Sequence, residues 1–140
     1  YGEQAEMLNE KINDLDLSDC CYYLGPKTHR ELSELYNQAD IMIFPTMLYE
    51  SLGLVGIEAM ACGCPVIGSD IGCLPEYIKE GITGFLFEPG NSHELAERIV
   101  DFYKLTEKQR NTMRLEAIRY VDKYESRKIS QALINKIKEI

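Results

Sequence analysis

The sequence predicts an α/β fold, a parallel sheet with helices on both faces that ends in a helical tail. Two patterns carry that prediction. Four short runs are apolar from end to end, at residues 20–24 (CCYYL), 41–44 (IMIF), 65–68 (PVIG) and 84–87 (GFLF). Strands read this way when both faces are covered, as in parallel sheets. Between the runs lie segments of helical period, and such alternation marks a parallel sheet crossed by helices. A third pattern closes the chain: residues 91–140 hold three helical segments and no further apolar run.

In order, Ala5, Leu8, Ile12 and Leu15 space a first helix over residues 3–14. Residues 20–24 are expected to form the first strand, ended by Gly25-Pro26. Thr28 and Glu31 make a capping box, in which each side chain satisfies the other's backbone amide at a helix start. The helix it opens carries Leu32, Leu35, Tyr36 and Ala39 on one stripe. Residues 41–44 form the second strand, stopped by Pro45. After a polar loop, residues 52–62 read as a helix closed by Gly63, with Pro65 two positions on. Residues 65–68 and 84–87 are the third and fourth strands. Asn91 or Ser92 caps the next helix, with Leu95, Ile99 and Phe102 inward. Thr106 with Gln109 is a second capping box, for a helix carrying Met113, Ala117 and Tyr120. A last helix starts near Glu125, with Ile129, Leu133, Ile137 and Ile140 on one stripe. No repeat and no linker interrupts the series. Residues 1–90 are read as the sheet core and 91–140 as the tail of one domain.

The 140 residues are 45% hydrophobic and 27% charged, the mix of a packed domain. No stretch approaches the length of a membrane span, and no basic-then-apolar leader is present. A cytoplasmic setting is expected. Charge is uneven. Residues 1–90 hold four cations (Lys11, Lys27, Arg30 and Lys79) against fifteen acids, while residues 91–140 hold eleven cations against eight. Nucleic-acid binding needs a basic stripe that the acidic portion lacks, and the basic tail reads as solvated helix faces, so no nucleic-acid partner is expected. Cys20, Cys21, Cys62, Cys64 and Cys73 form no C-x-x-C pair, and His29 and His93 lie at helix starts away from them. The cysteines are read as small buried thiols in a reducing compartment, with no metal site.

The informative stretch is residues 44–70. Glu58 is the only charged residue of its helix, and Leu54 and Val55, four and three positions earlier, share its face. A carboxylate there is costly to bury alone. It either meets a cation in space or faces a cleft and accepts hydrogen bonds from ligand hydroxyls, and both readings stand. Glu50 lies eight residues earlier, in the loop before the helix. Between them Ser51-Leu52-Gly53 begins the helix, where free amides form an anion site and Gly53 would let a ligand approach the backbone. Glu58 lies one and a half turns on, about 7 Å along the axis. A nucleotide diphosphate sugar has that shape, with sugar near Glu50, pyrophosphate over the amides and ribose near Glu58. A C-capped core helix with an incidental loop acid explains the same residues. In parallel sheets ligands bind at the carboxyl ends of strands, here the loops after Leu24, Phe44 and Ile67.

The Glu50/Glu58 pair stands inside P-T-x3-E-S-L-G-L-V-x2-E-A-M-A-C-G-x-P-V-I. This run closely resembles the donor-binding signature of retaining glycosyltransferases with the GT-B fold. Their large family, glycosyl transferases group 1, includes bacterial sugar transferases and glycogen synthases. Flanking pieces resemble the same pattern: Leu24-Gly25, Leu35-Tyr36-x2-Ala39-Asp40, Ser69-Asp70-Ile71-Gly72-x-Leu74-Pro75-Glu76 and Gly81-x2-Gly84. The resemblance runs from Tyr1 to about Asn91, and more loosely through the tail.

The resemblance implies a Rossmann-like sheet, the C-terminal half of a GT-B fold. By it, Glu58 holds the ribose hydroxyls, and Glu50 holds a hydroxyl of the transferred sugar, positioning it rather than attacking it. The backbone of Leu52, Gly53, Leu54 and Val55 faces the sugar and diphosphate, and the loop at Gly25-Pro26 lies against the base. The implied reaction moves a hexosyl group from a nucleotide sugar to a saccharide or lipid-linked acceptor, with retention and with neither metal nor cofactor. Cys73 stands where many relatives have a second Gly, which would tighten the loop near the donor. Relatives begin this domain with two further strands that carry a phosphate-binding Arg and Lys, and an N-terminal domain supplies their acceptor site. The chain is therefore expected to be a partial donor domain, inactive alone, that self-associates through unpaired strand edges. Its parent would lie in the cytoplasm or at the inner face of the membrane. Two other functions fit less of the pattern: a nucleotide-sugar epimerase of the same architecture, and a non-catalytic binding module. The base, sugar and acceptor are not named by the sequence.

Overall fold

A computed structural model of the chain describes residues 3–124. These residues separate into two compact units, one ending at Leu32 and the other starting at Ser33.

The first unit holds helix α1 (Glu3–Asp14) and the start of helix α2 (His29–Gln38). Ala5 and Ile12 of the expected stripe are half-buried and Leu8 is exposed. Helix α2 opens at the expected box: the Glu31 amide donates to Thr28 Oγ1 at 3.3 Å, and the Thr28 amide to the Glu31 carboxylate at 2.8 Å. Between the helices, residues 20–24 form no strand, contrary to expectation. A strand exists only as part of a ladder. Here the amides of Cys20 and Cys21 instead fold back to the Leu17 carbonyl, at 3.0 and 2.8 Å. Cys20 and Cys21 are therefore exposed, whereas Cys64 and Cys73 are the buried thiols expected and Cys62 is intermediate. Burial pushes the Cys64 thiol up to about 11.

The second unit is built on a three-stranded parallel sheet in the order β1-β2-β3, with β1 at Met42–Phe44, β2 at Val66–Ser69 and β3 at Gly84–Phe87. Strand β2 is central and buried along its whole length, which matches its apolar run. Successive side chains point to opposite faces, and the core divides accordingly. Val66 packs with Met60 and Ala59 of α3 (Leu54–Ala61), Leu74 and Tyr77 of α4 (Leu74–Tyr77), and Ala117 and Val121 of α6 (Glu107–Val121). Ile67 packs with Phe85, Phe87, Phe102 of α5 (Ser92–Lys104) and Met113. Helices thus cover both faces. Asn91 caps α5, accepting from the Glu94 amide at 3.0 Å, and Thr106 with Gln109 forms the full capping box of α6. The short helix α4 had no signal in the periodicity. The expected final helix lies outside the described residues.

Candidate functional site

The carboxyl end of β1 leads into the loop that carries Glu50. Thr46 Oγ1 accepts from the Leu48 amide at 3.1 Å, and Met47, Leu48 and Tyr49 project outward, Tyr49 with 83% of its surface exposed. Glu50 is half-buried. Its main chain is gripped from the segment after β2. The Cys73 amide donates to the Glu50 carbonyl at 3.0 Å, and a Cβ at Gly72 would lie 2.5 Å from that same oxygen. Gly72 also has φ +61°, a conformation that favours glycine. Burial pushes the Cys73 thiol up, with the charges of Glu76 and Glu50 adding to it against a backbone hydrogen bond.

Helix α3 begins at Leu54 rather than at Leu52, because Gly53 is its N-cap in the left-handed region, at φ 59° and ψ 48°. No side chain caps it. Leu52, Leu54 and Val55 are exposed, while Gly56, Ile57, Ala59 and Met60 are buried. The face that Leu54 and Val55 share with Glu58 is therefore an outward one at its start, and Glu58 itself is half-buried rather than a core acid. Its charge is felt by Tyr36 of α2, whose phenol is raised first by burial and next by Glu58.

The side of Gly53 on which a side chain would stand faces the core. A Cβ there would meet the Tyr77 hydroxyl at 2.7 Å and Leu74 and Phe44 at 3.3 Å, so the missing side chain makes space for the core. Tyr77 is buried and its hydroxyl donates to the Gly53 carbonyl at 3.2 Å. Burial also raises its phenol, with Cys73 and Glu50 adding, so it stays a neutral donor. Sequence reasoning missed this contact, since nothing in the pattern of an apolar run distinguishes a tyrosine hydroxyl with a partner from one without.

The structure brings Glu50, Leu52, Gly53, Leu54, Val55 and Glu58 together in one unit, around one helix entry. Gly25 and Pro26 belong to the other unit, where Gly25 has φ +65° and the Lys27 ammonium donates to the Leu24 carbonyl. Two open grooves, of about 640 and 490 Å³, are lined by α5 and by the end of β3, and neither Glu50 nor Glu58 lines them. Among the described residues no cluster of His, Cys, Asp and Glu could hold a metal ion, and no helix is long and apolar enough to cross a membrane.

Residues 1–119 match the glycosyl transferases group 1 family. The chain belongs to that family. Over 110 residues it is 34% identical to N-acetyl-alpha-D-glucosaminyl L-malate synthase of Bacillus anthracis, covering 79% of this chain and 28% of that protein. It is 33% identical to D-inositol 3-phosphate glycosyltransferase of Paenarthrobacter aurescens, covering 83% of this chain and 28% of that one. Among solved structures it resembles HepE of Anabaena in complex with UDP, at 27% identity and a TM-score of 0.88, covering all of this chain and 38% of that one. HepE has also been solved with UDP-glucose. The family membership and the sheet with helices on both faces agree with a C-terminal GT-B domain, as the motifs implied. The chain spans between a quarter and two-fifths of the length of these relatives.

Proposed function

We propose that the chain binds the diphosphate and sugar of a nucleotide-sugar donor at the start of α3. The enzyme built on it would then transfer a hexosyl group, with retention, to a saccharide or lipid-linked acceptor in the cytoplasm or at the membrane face. The observation that carries the proposal is the uncapped helix entry at Gly53, with exposed Leu54 and Val55 and with Glu50 and Glu58 to either side. First-turn amides lack acceptors within the helix and attract an anion, so a diphosphate fits there without a basic side chain. In the transfer, charge builds on the departing phosphate, and preorganised amides stabilise it without reorganising. Glu50 orients a sugar hydroxyl and Glu58 accepts from the ribose. No metal and no cofactor enter the reading. Support comes from the named activities of the relatives and from the UDP and UDP-glucose complexes of HepE. The same proposal includes self-association through the outer edge of β1, an open strand edge in the described sheet, which sedimentation of the chain tests.

Calorimetric titration of the full chain with UDP, GDP, ADP and UDP-glucose tests the donor site. One of the nucleotides is expected to bind, and Glu58→Ala to weaken it by about 1.5–3 kcal/mol, the scale of a hydrogen bond to a charged group. Unchanged affinity in the variant removes the ribose role of Glu58, and no binding by the wild type overturns the donor reading.

A further inference from the structure

We propose that Tyr77 is a positioning residue of the donor site, its buried hydroxyl setting the direction in which the first amide of α3 points. The inference rests on the donor reading above and adds to it a residue that touches no ligand. Tyr77 lies in α4, beneath the entry to α3, and only 1% of its surface is exposed. Its hydroxyl donates to the Gly53 carbonyl, which also accepts from the Gly56 amide at 2.9 Å.

The Gly53 carbonyl and the Leu54 amide belong to one planar trans peptide, so they point in opposite directions. Holding the carbonyl inward on Tyr77 therefore turns the Leu54 N–H outward, where Leu54 is 58% exposed. The loop is held in the same way three residues earlier. The Cys73 amide grips the Glu50 carbonyl at 3.0 Å, which turns the Ser51 N–H away from the core. One short segment, from Gly72 to Tyr77, thus fixes two peptides that flank the proposed diphosphate position.

Packing alone does not require the hydroxyl. A phenylalanine ring would fill the same space, and a buried hydroxyl costs free energy unless it has a partner. Two glycines make that partnership sterically feasible. A Cβ at Gly56 would lie 2.5 Å from the Tyr77 hydroxyl, and one at Gly53 would lie 2.7 Å away. Gly56 sits inside a helix, where glycine is poorer than alanine by roughly 1 kcal/mol, so its absence of a side chain has a packing reason, and that reason is the tyrosine.

The test compares Tyr77→Phe with wild type in the full chain, using UDP, GDP, ADP and their glucose conjugates to select the nucleotide that wild type binds. Three quantities are read: affinity, the phosphorus-31 shifts of the bound diphosphate, and the thermal midpoint. The variant is expected to bind about tenfold more weakly, the scale of one misdirected amide on a charged group, with altered phosphorus shifts. The midpoint should stay near wild type, because the phenylalanine ring fills the same space, while the Gly53 carbonyl, left with the Gly56 amide as one donor where it had two, is held less firmly in direction. Gly56→Ala, which displaces the hydroxyl while improving helix propensity, is expected to weaken binding likewise, and to add little further loss on top of Tyr77→Phe. Wild-type affinity and shifts in Tyr77→Phe, or a lowered midpoint alone, overturn the positioning role and leave the donor reading standing. Failure of wild type to bind any of the nucleotides overturns both.

Discussion

Residues 20–24 lie exposed in the unit that ends at Leu32, whereas Met42–Phe44, a shorter run, forms β1 of the other unit. The second run has a neighbour. Its residues pair with Val66, Ile67 and Gly68, and the Met42 amide donates to the Pro65 carbonyl at 2.9 Å. The first run turns the amides of Cys20 and Cys21 back on Leu17. The difference teaches that an apolar run supplies the means to be a strand, while a partner's free carbonyls and amides make it one. In the same way, β2 owes its complete burial to having β1 on one side and β3 on the other.

The sharpest way to break that contrast is to attack the ladder itself. Gly84 faces Val66 across β2 and β3, and a Cβ there would fall 1.9 Å from the Val66 carbonyl oxygen. Neither backbone can yield without losing the pairing, so Gly84→Ala is expected to cost at least about 4 kcal/mol in denaturant unfolding, in the range reserved for structural disruption. A variant of wild-type stability would show that the register is looser than described.

A gentler pair of substitutions measures the two runs against each other. Ile67 is fully buried, and Ile67→Ala is expected to cost about 3 kcal/mol through lost burial and the cavity left behind. Tyr23 is 44% exposed, and Tyr23→Ala is expected to change stability by less than about 0.5 kcal/mol. Should Tyr23→Ala approach the loss at Ile67, residues 20–24 must be packing on a sheet after all, from this chain or from a second copy.

The smallest expected effect separates the two capping boxes. The Thr28 amide and hydroxyl hold the Glu31 carboxyl below its ordinary 4.5. A lowered folded value means that this stabilisation is present above pH 4.5 and disappears as the pH falls through the folded value. The corresponding position of the other box is Gln109, which does not titrate. Amide protection factors at the start of α2, corrected for the intrinsic pH dependence of exchange, should therefore fall on acidification more than those at the start of α6, and Glu31→Gln should remove the difference. Equal responses in the wild type would contradict the box at Thr28.

Much of this architecture was legible because it depends on neighbours in the chain. Both capping boxes, the cap at Asn91 and the apolar strands β1, β2 and β3 are all local patterns, and each appears within one residue of where the spacing placed it. The exceptions have separate causes. Residues 20–24 depended on a partner strand, α4 is too short to show a period, and the two-residue delay in α3 followed from the left-handed turn at Gly53. The glycine was visible in the sequence, but what fills the space beside it was not.

By itself, then, the sequence determined the fold class, the family to which the chain belongs and the order of acids around one helix entry, since periodicity, caps and motif spacing are written in adjacent residues. Only the tertiary structure decided which apolar runs became strands and which side chain braces the entry to α3. Those outcomes depend on contacts between residues far apart in the chain, such as Tyr77 with Gly53 and Cys73 with Glu50, and no local pattern encodes the distance between them.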